Sequence, residues 1–272
     1  MIFFPNSKIN IGLHICKKRA DGFHSIDTLF YPTHLCDILE IISQEDLATG
    51  AKQKDELCLS GRPINCSMEN NLVMRALYLL REELSKNISP KKQIPAVKIF
   101  LHKIIPDGAG LGGGSADAAF CLKGLNTKFE LGLDHSQLEG ICRKLGSDCA
   151  FFIENKAVLG LEKGDVFEEA PMQCLEILKN YTPILRFPPV SISTQEAYSE
   201  IVPQAHRPPL SELLQYPIQE WKHTIINDFE ASIFKKYPII AQTKAQLYKE
   251  GAVYASMSGS GSSVYGLFPK DK

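Results

Sequence analysis

Apolar and polar positions along this chain change their period several times, and each change marks a predicted element. Residues 1–15 alternate loosely between the two kinds and include Asn6-Ser7-Lys8-Ile9-Asn10-Ile11-Gly12-Leu13. That pattern predicts a strand, a brief polar interruption and another strand. Residues 17–24 form a charged turn with Asp21-Gly22 at its tip, a dipeptide that favours tight hairpins. Segments 25–33 and 37–43 read as further strands, followed by a polar connection over 44–56 and a short strand near 57–59. The period then lengthens. Val73, Leu77, Leu80 and Leu84 fall on one helical face behind a cap at Asn70-Asn71, which predicts a core-packing helix.

A strand predicted at 97–105 and a helix predicted at 115–125 enclose Pro106-Asp107-Gly108-Ala109-Gly110-Leu111-Gly112-Gly113-Gly114-Ser115. A simple turn can be made with one glycine, and each extra one costs roughly 0.5–1 kcal/mol in lost unfolded-state entropy. Five glycines here leave the backbone bare, so several N–H groups can converge on one small anion. The helix start adds unpaired N–H groups and the positive end of its dipole. The stretch therefore reads as a phosphate cradle, with Ser115 as an N-cap or as a phosphate or metal contact.

Gly108-x-Gly110-x-x-Gly113 also satisfies the dinucleotide fingerprint, which alone is a weak signal. That reading needs an acidic residue ~20 positions later at a strand end. Glu130 has the spacing, but residues 126–132 make a poor strand. The Walker pattern is not met, because no Lys-Ser/Thr pair follows the last glycine.

A second helix is predicted over 135–145, ending at Gly146 and leading into Ser147-Asp148-Cys149. After Phe167 prolines punctuate short elements, and a domain boundary is expected near residue 169. Asn227-Asp228-Phe229-Glu230 has the spacing of a capping box. A helix over 238–249, a strand over 253–257, a small-residue loop at 258–263 and a strand over 264–268 complete the pattern. The loop on its own suits a strand connection as well as a ligand-facing turn.

Composition narrows the function. The chain has 272 residues, 44% hydrophobic and 22% charged, with a net charge of −1, which suits one large or two medium globular domains. The densest basic runs are Lys17-Lys18-Arg19 and Lys91-Lys92, too short for duplex binding, so no nucleic-acid partner is expected. Eight cysteines contain no Cys-x-x-Cys pair, which argues for free thiols in a reducing compartment over zinc or a disulfide framework. No apolar run approaches the ~20 residues of a membrane span. Residues 1–5 carry neither a basic flank nor a small-residue cleavage site. A soluble, cytoplasmic protein acting on a small molecule is expected.

Lys8 in an apolar opening, Asp148 before Phe151-Phe152, and the cradle have separate ordinary explanations: a solvated strand residue, a turn residue and a flexible loop. Together they supply a phosphoryl-transfer site, with backbone for phosphates, a carboxylate for an acceptor hydroxyl and a cation. Four blocks carry a family pattern: PNSKINIGLHICKKRADGFHSIDT from Pro5, IPDGAGLGGGSADAA from Ile105, LGSDCAFF from Leu145 and SMSGSGSSVYGLF from Ser256. In that order they resemble the GHMP family of small-molecule kinases, and Asp21-Gly22-Phe23-His24 is similar to its methylerythritol branch.

The resemblance implies an α+β fold of two domains, an N-terminal ribosomal-protein-like α/β domain (residues 1–169) and a C-terminal ferredoxin-like domain (170–272), with the active site in the cleft between them. It implies ATP as co-substrate with Mg²⁺, and phosphorylation of a cytidyl-bearing alcohol on the non-mevalonate route to isoprenoid precursors. Carried over residue by residue, Asp148 is the acceptor-side carboxylate and Lys8 its partner. Pro106, Gly108, Ala109, Gly110, Leu111, Gly112, Gly113, Gly114 and Ser115 cradle the ATP phosphates, and Asn71 and Lys103 lie near the adenine. Asn10, Phe23, His24 and Tyr198 hold the cytidyl substrate; the protein ligands of the metal stay unassigned. The partner is a small molecule, with neither nucleic acid nor membrane, and the protein is expected as a monomer or weak homodimer. Three departures stand out: an extra residue in Pro5-Asn6-Ser7-Lys8, Phe23 where the family has Tyr, and Gln195 where proline is usual. The first and third bear on loop shape, Phe23 keeps a stacking face but loses a hydroxyl, and none removes a catalytic group.

Overall fold

The computed structural model describes residues 1–46, 54–64, 66–88, 92–204 and 206–270. Part of the polar connection expected over 44–56, and Lys91 of the basic pair, lie outside the described residues. In chain order the elements are β1 (Ile2–Phe3), β2 (Asn6–Lys18), β3 (His24–Cys36), β4 (Ile38–Ser43), β5 (Glu56–Gly61), α1 (Leu72–Glu83), β6 (Val97–Lys103) and α2 (Gly113–Lys128). They continue with α3 (His135–Leu145), α4 (Phe151–Glu154), β7 (Val158–Glu162), β8 (Val166–Glu169), α5 (Met172–Leu178), β9 (Tyr181–Arg186) and α6 (Thr194–Tyr198). The last are α7 (Leu210–Leu213), α8 (Ile218–Thr224), α9 (Glu230–Lys236), α10 (Pro238–Lys249), β10 (Tyr254–Met257) and β11 (Val264–Pro269). Helices and strands are mixed as an α+β fold requires.

The chain forms two compact units, each made of separate segments. The first contains Met1–Ser7, His34–Asp107 and Gly112–Asn155. Its sheet has the order β1-β4-β6-β5, antiparallel except where β5 meets β6. That parallel pair needs a crossover, and α1 lies in it. Val97, Ile99 and Leu101 of β6 are buried, and the two-residue period carries Lys103 to the same inner face. Val73, Leu77 and Leu80 of α1 are buried as their spacing predicts, and Asn71 caps the helix by accepting from the Val73 N–H at 3.0 Å.

The second unit contains Lys8–Thr33, Gly108–Leu111 and Lys156–Lys272. Its sheet β10-β11-β9 is antiparallel throughout. Leu13, Ile15, Phe229, Ile233, Ile240, Leu247, Met257 and Val264 share one core there. Most residues of a second sheet, β2-β3-β7-β8, also belong to this unit. The boundary expected near residue 169 falls inside it, between β8 and α5. One ladder joins residues 158–162 of β7 to 26–30 of β3, and a second joins 166–169 of β8 to 158–161 of β7.

Two expectations are corrected. The polar residues of the opening do not interrupt a strand: β2 starts at Asn6, and every residue from there to Ile15 is buried, so both faces of the strand are covered. Nor do Asn227-Asp228-Phe229-Glu230 form a capping box. Phe229 is the N-cap of α9 and no side chain caps it; the Glu230 carboxylate instead accepts from the Met257 N–H at 2.8 Å and from Ser256 Oγ at 3.0 Å. A strand end left without partners outbids a short helix for that carboxylate. The capping box is made elsewhere, by Asp134 and Gln137 at the start of α3.

Candidate active site

In the first unit the site residues gather around the start of α2. Its N-cap is Gly112, in left-handed backbone (φ 69°), and no side chain caps it. Ala116 is the first residue whose N–H reaches back along the helix, to Gly112 O at 2.8 Å. The amides of Gly113, Gly114 and Ser115 precede it and have no intrahelical acceptor, as at any helix start. Glycine is needed at 113 for space: a Cβ there would crowd Ile105 Cγ2 at 2.8 Å and Lys103 Nζ at 3.3 Å.

Beneath this turn lies a buried ion cluster. Lys103, 4% exposed, donates to Asp37 and to Asp117 Oδ2, the latter at 2.7 Å. Asp37 Oδ1 accepts from the Ile104 and Ile105 N–H groups at 2.5 and 2.8 Å, fixing the chain that enters the glycine stretch. Asp117 is 2% exposed, and its Oδ1 has no hydrogen-bond partner among the described residues. Burial outweighs the Lys103 charge and pushes the Asp117 carboxyl up to about 7. Burial also pulls at the Lys103 ammonium, but Asp117 and Asp37 together hold its pKa above the usual lysine value. The ammonium of Lys103, expected near an adenine, is thus committed to two carboxylates under the cradle.

Asp148 stands half-buried in the turn between α3 and α4, within 3.5 Å of the Ser147 hydroxyl. Its neighbour Cys149 is fully buried; burial pushes that thiol up to about 11 despite a hydrogen bond with Ser115. Ser115 is therefore tied to the Asp148 turn through Cys149.

The second unit carries Lys8, Asn10, the Gly108–Leu111 part of the glycine stretch, His24 and Tyr198. Lys8, 3% exposed, donates to Asn10 Oδ1 at 2.6 Å and to Gly110 O at 3.3 Å, and its ammonium lies 5.1 Å from the Phe30 ring centroid. The Thr28 hydroxyl gives its proton to Gly12 O at 2.6 Å, so it must accept from Asn10 Nδ2 at 3.0 Å. That assigns the Asn10 amide and turns its oxygen toward Lys8. Gly108 has open space where a side chain would be.

Gly110 has φ 78°, and a Cβ there would overlap the Ser258 carbonyl. Its own carbonyl accepts from Ser258 Oγ at 2.9 Å, and that oxygen accepts from the Asn10 N–H at 3.3 Å. The Ser263 N–H donates to Ala109 O at 3.2 Å. The loop at 258–263 therefore packs backbone against backbone on the first glycine stretch.

His24 and Tyr198 stack, with ring centroids 4.8 Å apart and planes 20° from parallel. Phe229 meets Tyr198 edge-on at 4.8 Å. Phe23 is not in this stack; it is 60% exposed, with the Lys163 ammonium 5.3 Å from its centroid. The structure brings Lys8, Asn10 and Gly110 together, and likewise His24 and Tyr198. The sequence reading did not single out Thr28, Asp37 or Asp117, and it took Asn227 only as part of a helix cap. Thr28 ends the first motif block and Asp117 lies inside the second, which was the available signal.

Comparison with known proteins agrees at two levels. Residues 71–156 match the family model for the GHMP kinases N terminal domain, and residues 218–272 that for the GHMP kinases C terminal. A Bacteroides fragilis protein named 4-diphosphocytidyl-2-C-methyl-D-erythritol kinase is 48% identical over 273 residues, covering 100% of this chain and 94% of that one. One of the same name from Cytophaga hutchinsonii is 45% identical over 268 residues, covering 98% and 92%. Among solved structures, a 4-(cytidine 5'-diphospho)-2C-methyl-D-erythritol kinase matches with TM-score 0.76 and 27% identity, over 98% of this chain and 90% of that one. A mevalonate kinase matches with TM-score 0.65 and 16% identity over 98% and 91%, a likeness of fold.

Proposed function

Because this chain belongs to the GHMP kinases, in the branch of the 4-diphosphocytidyl-2-C-methyl-D-erythritol kinases, we propose how its own groups divide that branch's reaction. The chain is an ATP-dependent phosphotransferase with an alcohol as acceptor. It transfers the γ-phosphoryl group of ATP to the 4-hydroxyl of 4-diphosphocytidyl-2-C-methyl-D-erythritol, giving the 2-phosphate product and ADP.

The observation that carries the nucleotide half is the start of α2, with its uncapped amides beside glycines that keep the backbone open. Phosphate oxygens are the ligands such a turn accepts without further help. We assign Pro106, Gly108, Ala109, Gly110, Leu111, Gly112, Gly113, Gly114 and Ser115 to the triphosphate, and Asn71 to the nucleotide side. Lys103 goes to the frame beneath the turn rather than to contact with ATP. Among the described residues no group of three His, Cys, Asp or Glu can hold a metal ion. Ser115 would be the protein oxygen at hand for Mg²⁺, whose other ligands would be phosphate oxygens and water. The ion would offset the phosphate charge.

On the alcohol side, Asp148 is the carboxylate that orients the hydroxyl and takes its proton. Lys8 is the cation for the charge that moves with the phosphoryl group. Asn10, held by Thr28, fixes where the Lys8 ammonium sits. The His24–Tyr198 stack presents aromatic faces to a planar base, and Phe23 adds an exposed ring beside it. Since the transition state is loose, positioning carries much of the rate.

Eight free cysteines and a small net charge support a cytoplasmic setting with small molecules as the only partners. None of the helices among the described residues is long and apolar enough to cross a membrane. We read the protein as a monomer or weak homodimer of two family domains that meet in sequence near residue 169.

The deciding experiment measures ADP release from ATP and Mg²⁺ with the cytidyl alcohol, mevalonate, homoserine and galactose in separate reactions. Turnover with the cytidyl alcohol alone is expected, falling about 10²–10⁴-fold in Asp148→Ala. Turnover with another alcohol instead would remove the substrate assignment and the roles of Phe23, His24 and Tyr198.

A further inference from the structure

The Asn227-Asp228-Phe229-Glu230 segment caps nothing, yet its three polar side chains, Asn227 and Glu230 buried and Asp228 partly so, are each aimed at another part of the second unit. Asp228 accepts from the Ile15 N–H at 2.7 Å and pairs with Arg207 at 2.6 Å. Glu230 holds the end of β10. Asn227 reaches the loop that follows. Its Nδ2 donates to Met257 O and to Gly259 O, both at 2.8 Å, and its Oδ1 accepts from the Phe229 N–H at 3.0 Å. At 2% exposure both amide N–H donors are used and the amide oxygen has its own donor.

The residue between the two carbonyls that Asn227 holds is Ser258. One hydroxyl there accepts from the Asn10 N–H and donates to Gly110 O, the carbonyl that also receives the Lys8 ammonium. Gly259 O and Met257 O are fixed by one side-chain nitrogen, so the Ser258 peptide cannot rotate without breaking a buried hydrogen bond. We infer that Asn227 is a positioning residue for phosphoryl transfer: it sets the Ser258 turn, and through Ser258 the Gly110 peptide and the Lys8 ammonium. At 2% exposure its side chain is closed off by the protein. The inference rests on the kinase reading above, because it needs Gly110 to serve the triphosphate and Lys8 to serve the transfer.

The chemistry dictates the variant. Asn227→Asp keeps the volume and the acceptor but turns a carboxylate oxygen toward two carbonyls, so the clamp becomes a repulsion. Asn227→Ala removes it. The Kd for ATP, read by displacement of a fluorescent ATP analogue, is expected to rise about tenfold or more in Asn227→Asp. kcat with the cytidyl alcohol should fall by a similar factor, while the KM for that alcohol stays within about threefold.

A role confined to stability would lower the melting temperature and leave this split absent. Ile240→Ala, a truncation in the core of the same unit, supplies the matched loss of stability. It should leave the Kd for ATP within twofold. An Asn227→Asp protein that melts as low as Ile240→Ala but binds ATP within twofold of the parent overturns the inference. Should neither Asn227 variant fold, Ser258→Ala reads the same relay from its far end, and ATP binding within twofold there overturns it equally. If the parent binds ATP but turns over none of the alcohols, the substrate reading has failed, and the ATP affinities still decide the role of Asn227.

Discussion

The two units hold their parts of the glycine stretch by different physics. In the first, the turn that begins α2 rests on charge: one lysine between two carboxylates, all three nearly or fully buried. In the second, the Gly108–Leu111 segment rests on neutral groups: an asparagine amide, a serine hydroxyl and backbone packed on backbone. A buried ion cluster resists dissection, since removing one member strands the others without solvent. A neutral clamp can be loosened one hydrogen bond at a time. One part of the glycine stretch thus rests on a frame that fails abruptly, the other on one that can be tuned.

Lys103→Met attacks the charged frame and should have the largest effect on stability. It leaves Asp37 and Asp117 buried without a cation, for a loss of about 3–5 kcal/mol in urea unfolding. A loss under about 1 kcal/mol would mean that the cluster does not carry the first unit. Gly110→Ala attacks the neutral frame. Left-handed backbone alone costs an alanine about 1–2 kcal/mol, and the added methyl group meets the Ser258 carbonyl. Its effect should fall more on ATP binding than on melting, with the Kd up about tenfold; unchanged affinity would detach Gly110 from the nucleotide.

The smallest effects should appear in the dependence of stability on pH, where the units tilt in opposite directions. Asp117, held between Lys103 and Asp37, has its carboxyl raised to about 7, so the folded state keeps a proton that the unfolded chain has released. Its contribution falls as pH rises from the unfolded value, near 4, toward 7. His14 in the second unit, beside Arg207 and Asp228, is lowered to about 4, first by burial and then by Arg207. It must stay neutral to remain folded, so its contribution is present above the unfolded value, about 6.5, and is lost as pH falls toward 4. Asp117→Asn should therefore make the unfolding midpoint rise more steeply with pH between 4 and 7, and His14→Gln should make it rise less or fall. Parallel slopes in the two variants would contradict this assignment.

Much of this was legible in the sequence because it depends on local period or on backbone freedom. The α1 stripe, the glycine stretch and the strand before it need only neighbours along the chain. Lys8 and Asn10 share one face of a strand, two residues apart, so their contact was open to the same local reading, although Asp148 was the partner expected for Lys8. What could not be read is who satisfies a buried polar group. Asp37 serves amides 67 and 68 positions away, and Asn227 serves a carbonyl 32 positions away. Nothing local distinguishes those residues from turn formers. The Asn227 segment shows the limit well, since its letters fit a cap and its side chains were claimed by distant backbone. Phe23 is a second case: adjacency to His24 in sequence says nothing about which ring faces Tyr198.

The contact between Asn10 and Ser258 joins positions 248 residues apart, and that of Asn10 with Tyr265 spans 255. During synthesis at about 5–20 residues per second, β2 waits on the order of ten seconds or longer for the strands that complete its unit. Throughout that time the part of β2 that those strands cover stays open to solvent, a natural client for holding chaperones. The same interleaving means that the gene cannot be cut into two self-sufficient halves at any single point, although a split protein could be reassembled from fragments that fold only together.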